Sequence, residues 1–153
     1  MNPVPGRADH RLMRNFAGLG IGIGIAAAAS LPIIAAHAAT LPSSQAQGSV
    51  SYISGGIGED EALAMQRAAA AYPLQLEFVE KAKDGHEAYL AGNPVTIRDR
   101  SGTTLVDAVA GGPFLLAKLP PGHYTVVATN QGHSESRVVD LKPREHQRIV
   151  FAW

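Results

Sequence analysis

Apolar positions follow three different rhythms along the chain. From Phe16 to Ala36 the run FAGLGIGIGIAAAASLPIIAA holds no charged residue at all. Between 59 and 72, Ala62, Met65, Ala69 and Tyr72 recur at the three- and four-residue spacing of one helix face. From 74 onward the period falls to two. Leu74, Leu76 and Phe78 alternate with Gln75, Glu77 and Val79; Val95 and Ile97 alternate with Thr96 and Arg98; Tyr124, Val126 and Ala128 share one face. Turn chemistry separates these runs at Asp99–Gly102, Gly111-Gly112-Pro113, Pro120-Pro121-Gly122, Asn130-Gln131-Gly132 and Lys142–Glu145. Seven strands are therefore predicted within 74–153: near 74–79, 95–98, 103–109, 114–119, 123–129, 133–141 and 147–153. Evenly spaced short strands with turns between them indicate an all-β sandwich or barrel, here with one accessory helix.

The helix carries its own start and stop signals. Glu59, Asp60 and Glu61 fill its first turn, where carboxylates complement the positive end of the dipole. Alanines extend it, and Pro73 ends it, because the residue before a proline avoids the α region. Upstream, Val50–Ile53 is a candidate short strand, followed by the glycine turn Ser54–Gly58. Residues 39–49, ATLPSSQAQGS, show no period and read as a flexible leader. Residues 81–93 read as a polar loop.

The uncharged run at 16–36 changes this picture. Arg7, Arg11 and Arg14 precede it, and Ala36-His37-Ala38 follows it. A basic start, an apolar run and an A-x-A site are the parts of a secretory signal peptide. Residues 1–38 are accordingly expected to be removed, Ala36 and Ala38 filling the peptidase subsites and Ala39 becoming the new N-terminus. The run is long enough to span a bilayer if retained. Gly18, Gly20, Gly22, Gly24 and Pro32 make it a poor permanent helix. No other stretch is long and apolar enough to span, so the mature protein is expected to be exported, periplasmic or secreted, without a membrane span.

Charge and composition exclude several functions. Lys+Arg 13 balance Asp+Glu 13, which argues against a nucleic-acid binder. The absence of cysteine removes disulfide scaffolds, zinc-thiolate sites, iron–sulfur clusters and thiol nucleophiles. His86, His123, His133 and His146 form neither H-x-x-x-H nor H-E-x-x-H. Ser54 lies outside any G-x-S-x-G, and Gly55-Gly56-Ile57-Gly58 lacks the lysine of a phosphate loop. No cofactor, metal site or catalytic residue is expected.

One segment resembles a known pattern. Gly112-Pro113-Phe114-Leu115-Leu116-Ala117-Lys118-Leu119-Pro120-Pro121-Gly122-His123-Tyr124-Thr125-Val126 is similar to the F-x-x-x-x-L-P-x-G-x-Y-x-V segment of carboxypeptidase-regulatory-like domains, relatives of collagen-adhesin B-type repeats and transthyretin. Pro94–Gly102 resembles that family's V-x-V-x-D-x-x-G hairpin, and Ser51–Glu61 looks like the opening of small secreted bacterial proteins of this type. Ala110-Gly111-Gly112-Pro113 departs from the Asp-Gly pair common before the phenylalanine strand. The resemblance implies a seven-stranded, prealbumin-like antiparallel β-sandwich over 74–153, with 50–73 as an added N-terminal turn and helix. In that turn Gly122 can take a positive φ, and Leu119 and Tyr124 flank it and can cap the end of the core. No peptidase activity follows from it.

The expected function is that of a non-enzymatic exported binding or interaction module for an unidentified protein or glycan. Packing leaves Tyr52, Glu59, Asp60 and Glu61 as the candidate partner surface, unless the helix only covers an open sheet edge. A carbohydrate-binding module is one alternative, with Tyr52 and Tyr89 as its loop aromatics. A small outer-membrane barrel is another, because Ile149, Phe151 and Trp153 end the chain as such barrels end.

Overall fold

The structure is a computed structural model and describes residues 40–82 and 85–153. The signal segment 1–38, with its cleavage site at Ala38 and Ala39, lies outside the described residues. In chain order the elements are β1 (Gln45–Gln47), β2 (Val50–Gly55), α1 (Glu59–Ala68) continued by a 3₁₀ turn (Ala69–Ala71), β3 (Leu74–Lys81), β4 (Glu87–Tyr89), β5 (Pro94–Asp99), β6 (Thr104–Val109), β7 (Phe114–Lys118), β8 (Gly122–Asn130), β9 (His133–Leu141) and β10 (Gln147–Ala152).

These strands form two sheets. The first runs β1-β2-β7-β3-β10, with β4 also on β3; the second runs β6-β5-β8-β9. Val50, Tyr52, Leu74, Leu76, Phe78, Leu115, Ala117 and Phe151 from the first sheet meet Val95, Ile97, Val106, Tyr124, Val126, Ala128 and Val139 from the second in one core. The helix packs on the opposite face of the first sheet. There Met65 and Ala69 bury Ile53, Phe114 and Leu116 in a smaller cluster, with Ala62, Ala68 and Tyr72 around it. The apolar stripe expected from spacing is thus the face that docks. It covers the face of β2 and β7, not a sheet edge as one reading expected.

Among the described residues all seven strands expected within 74–153 form, the candidate strand at Val50–Ile53 forms as β2, and two more join them. The stretch 39–49 contains β1, which pairs with β2 from Gln45↔Tyr52 to Gln47↔Val50, and the polar loop contains β4, which pairs with β3. Neither has an apolar rhythm: each is only three residues long and pairs with the strand next to it in the chain across a short connection. Among the described residues ten strands therefore build the sandwich, where seven were expected over 74–153. It is not purely antiparallel either: β10 crosses back from the second sheet to lie parallel to β3, in register from Gln147↔Leu74 to Ala152↔Val79.

The described strands do not close into a barrel, which overturns the barrel reading. Ile149, Phe151 and Trp153 turn inward instead. The Phe151 ring stacks at 6.0 Å from Phe78 and at 6.0 Å from Trp153.

Side chains blunt the open edges. The Gln47 amide donates to the Asp107 carbonyl on β6 at 2.9 Å and accepts from its N–H at 2.8 Å. On β9, Gln147 donates to the Asp140 carbonyl, Arg137 to that of Ser136 and the Trp153 indole to that of His133. Unpaired strand groups are a template for unwanted pairing, and these contacts occupy some of them.

Between β7 and β8 the chain passes from one sheet to the other. Leu119 and Tyr124 are buried at that crossing, and the Tyr124 hydroxyl donates to the Pro120 carbonyl at 2.7 Å. Burial, and then the charge of Asp99, push the Tyr124 hydroxyl above its ordinary pKa. Gly122 does not use the positive φ open to it; it starts β8 as an extended residue paired with Leu141. A side chain there would lie against the Tyr124 ring, slightly tight only at its hydroxyl.

Candidate functional site

The link from β2 to α1 borders an apolar open site. Gly56 and Gly58 adopt φ of 100° and 85°, a region costly for other residues, and turn the chain sharply into the helix. At Gly56 a side chain would strike the Phe114 ring, so this glycine also lets the turn sit on β7. Glu61 reaches back from the first helical turn, and its carboxylate accepts the Gly56 N–H at 2.6 Å. That bond fixes the turn and leaves Ile57 at its tip, 64% exposed.

A groove of about 540 Å³ opens beside this tip. Ile57, Ala62, Leu63 and Gln66 line one side; Tyr89, Leu90, Ala91 and Pro113 line the other. Tyr89 stands on β4, with its ring tilted against Phe114 at 5.4 Å. Glu59 is the charged residue of the lining. Large exposed apolar side chains among the described residues are Leu41, Ile57, Leu63, Tyr89, Val109 and Val138, and three of the six meet at this groove. Single exposed hydrophobics are ordinary, whereas a contiguous group of them is a candidate interaction site.

The expected partner surface is only partly brought together. Glu59 lines the groove, and Asp60 is exposed beside it in the same helical turn. Glu61 is committed to the Gly56 N–H. Tyr52 is not on the surface: it is 2% exposed, and its hydroxyl donates to Gln45 Oε1 at 2.9 Å. The reason is that Val50–Gly55 is an inner strand, between β1 and β7, so the alternation of Val50 and Tyr52 points into the core.

Ile57 and Leu63 were missed by reading the sequence, although a signal existed. Both are large apolar residues with no place on the helix stripe, and such residues need another reason to be apolar. Tyr89 was legible as a loop aromatic, but its neighbours were not.

Other chemistry looked for in the sequence has structural explanations. The Ser54 hydroxyl donates to the Phe114 carbonyl at 3.1 Å and accepts the Gly111 N–H at 2.9 Å, tying β2 to the β6–β7 link. His123 and His133 lie at opposite ends of the β8–β9 hairpin, paired with Asp140 and Asn130. Among the described residues no three His, Cys, Asp or Glu side chains stand close enough to hold a metal ion. No helix among them is long and apolar enough to cross a membrane.

No protein-family model matches the sequence, and no curated protein matches it. Among solved structures the chain is similar to the Bacillus anthracis TIE protein, with 19% identity and a TM-score of 0.40. The match covers 52% of this chain and only 16% of that one.

Proposed function

We propose that this chain is an exported, non-enzymatic binding module, periplasmic or secreted, built on a prealbumin-like sandwich of the carboxypeptidase-regulatory-like type. Its groove takes a short apolar segment of a partner protein that carries a basic residue beside the apolar ones. The observation that carries this reading is the meeting of Ile57, Leu63 and Tyr89 around one groove with Glu59 at its lip. Apolar walls supply the affinity, and the carboxylates of Glu59 and Asp60 select a cationic neighbour and speed encounter. Support for the sandwich type comes from all seven strands of the resemblance forming, and from Leu119 and Tyr124 sealing the crossing that its motif describes. Support for export comes from the basic start, uncharged run and A-x-A site at the head of the chain.

The test is selection from a display library of seven-residue peptides, followed by titration of the winners. Enriched peptides should combine Leu, Ile or Phe with Lys or Arg. Ile57→Ser with Leu63→Ser should weaken them about tenfold, equivalent to about 1.4 kcal/mol, while the melting temperature holds. Enrichment that ignores this double substitution overturns the groove as the site. Oligosaccharide binding that is lost with Tyr89→Ala, in the absence of peptide binding, would replace this reading with the glycan one.

A further inference from the structure

The outer face of the second sheet carries a second depression, of different chemistry and independent of the groove. Strand register aligns Arg98, Thr125 and Val138 in one row across β5, β8 and β9, and places His123 against Asp140 two residues further along. Arg100 follows on the hairpin after β5. Arg98, Asp99, Arg100, His123, Thr125 and Val138 line an open hollow of about 360 Å³. Arg137 and Arg148 each have a carboxylate partner, Glu135 and Glu77. Arg98 and Arg100 have none among the described residues, and both are exposed.

Two acids stand here: Asp99, in the lining with one of its two oxygens engaged, and Asp140, paired with His123. Asp99 Oδ1 accepts the Ser101 hydroxyl at 2.6 Å and the N–H groups of Ser101 and Thr103, each at 2.9 Å. Asp140 Oδ1 stands 3.3 Å from His123 Nδ1 and is not part of the lining, so Nε2 is the imidazole's remaining polar atom. Val138, 79% exposed, adds methyl groups at the end of the Arg98–Thr125 row.

We propose that this hollow binds an oxyanion, a carboxylate, sulfate or phosphate group borne on a larger ligand. Two guanidinium forks match the paired oxygens of such a group, and charge-assisted bonds of this kind are the strong ones. The Thr125 hydroxyl and His123 supply further polar contacts, and Val138 offers an apolar neighbour for the carbon skeleton that carries the anion.

The experiment is a titration of the isotope-labelled protein with inorganic phosphate, sulfate and glucuronate at constant ionic strength, with chloride as the reference. Saturable shifts should appear at the amides of 98–102 and 123–125. Arg98→Gln with Arg100→Gln should weaken binding at least tenfold with no change in melting temperature. A further pair of probes separates the sources: an oligouronate that binds more tightly than tetraglutamate identifies an acidic saccharide, and the reverse order an acidic peptide. Shifts no larger than those in chloride, or saturation that survives the double substitution, would overturn the site.

Discussion

In the first sheet β7 is buried on both faces, whereas in the second sheet β8 is buried on one. Along β7, Leu115 and Ala117 enter the sandwich core while Phe114 and Leu116 lie under the helix. Along β8, Tyr124, Val126 and Ala128 are buried, and His123, Thr125 and Val127 between them are more open. Strands covered on both sides read as continuous apolar runs, and strands covered on one side alternate. The difference also separates the two candidate sites. The apolar groove lies where the helix stops covering the first sheet, and the cationic hollow lies on the face that nothing covers.

The sharpest way to break this contrast is to empty one layer at a time. Phe114→Ala removes a 1% exposed ring that touches both the helix cluster and Tyr89, and should cost about 3–5 kcal/mol in urea unfolding. Val138→Thr on the outer face of the second sheet should stay within about 0.5 kcal/mol. Similar costs for both would mean that the helix adds no second buried layer.

A smaller effect is expected on the part of the first sheet beyond the helix. There Glu77, with its side chain 7% exposed, accepts from Arg148 Nε at 2.8 Å, while Arg148 itself is 55% exposed. Arg148→Ala strands a nearly buried carboxylate and should cost about 1–3 kcal/mol, most of it recovered when Glu77→Gln is added. If the single and double variants are equally stable, the pair is only a surface contact. Double-mutant analysis of the unfolding curves measures the coupling directly.

The smallest effect belongs to the exposed hairpin of the second sheet. The Ser101 hydroxyl, and then the Thr103 and Ser101 N–H groups, hold the Asp99 carboxyl below its ordinary value. A carboxyl whose folded pKa is depressed stabilises above its unfolded pKa, and that contribution disappears as pH falls through the folded value. The melting-temperature advantage of the wild type over Asp99→Ala should therefore shrink as pH drops below the ordinary carboxylate range. A difference that stays constant through that range would remove the carboxylate from the account.

How much was legible follows the same division between the sheets. Strands covered on one side announce themselves by period, and so does the helix, whose Met65–Ala69–Tyr72 stripe is the face that docks. β3 was legible as a strand, but its period does not show that Gln75 and Glu77 are both only 6% exposed in a strand lying between β7 and β10. Glu59 and Asp60 were legible at the groove because helix-start acids are a local signal; Glu61 was legible as an acid but not as the partner of the Gly56 N–H.

Local chemistry along the chain set the helix, the turns and the seven strands with their core-facing residues, because period, glycine and proline act over a few residues. Tertiary contact set the rest. β1 and β4 pair with their chain neighbours β2 and β3, but three residues are too few to show a period. The parallel entry of β10 beside β3 depends on a crossover between sheets. The inward turn of Tyr52 depends on β2 lying between β1 and β7. Both candidate sites are of this second kind: Ile57 and Leu63 meet Tyr89 only when the helix is laid on the sheet, and Arg98 meets Thr125 only when β5 pairs with β8.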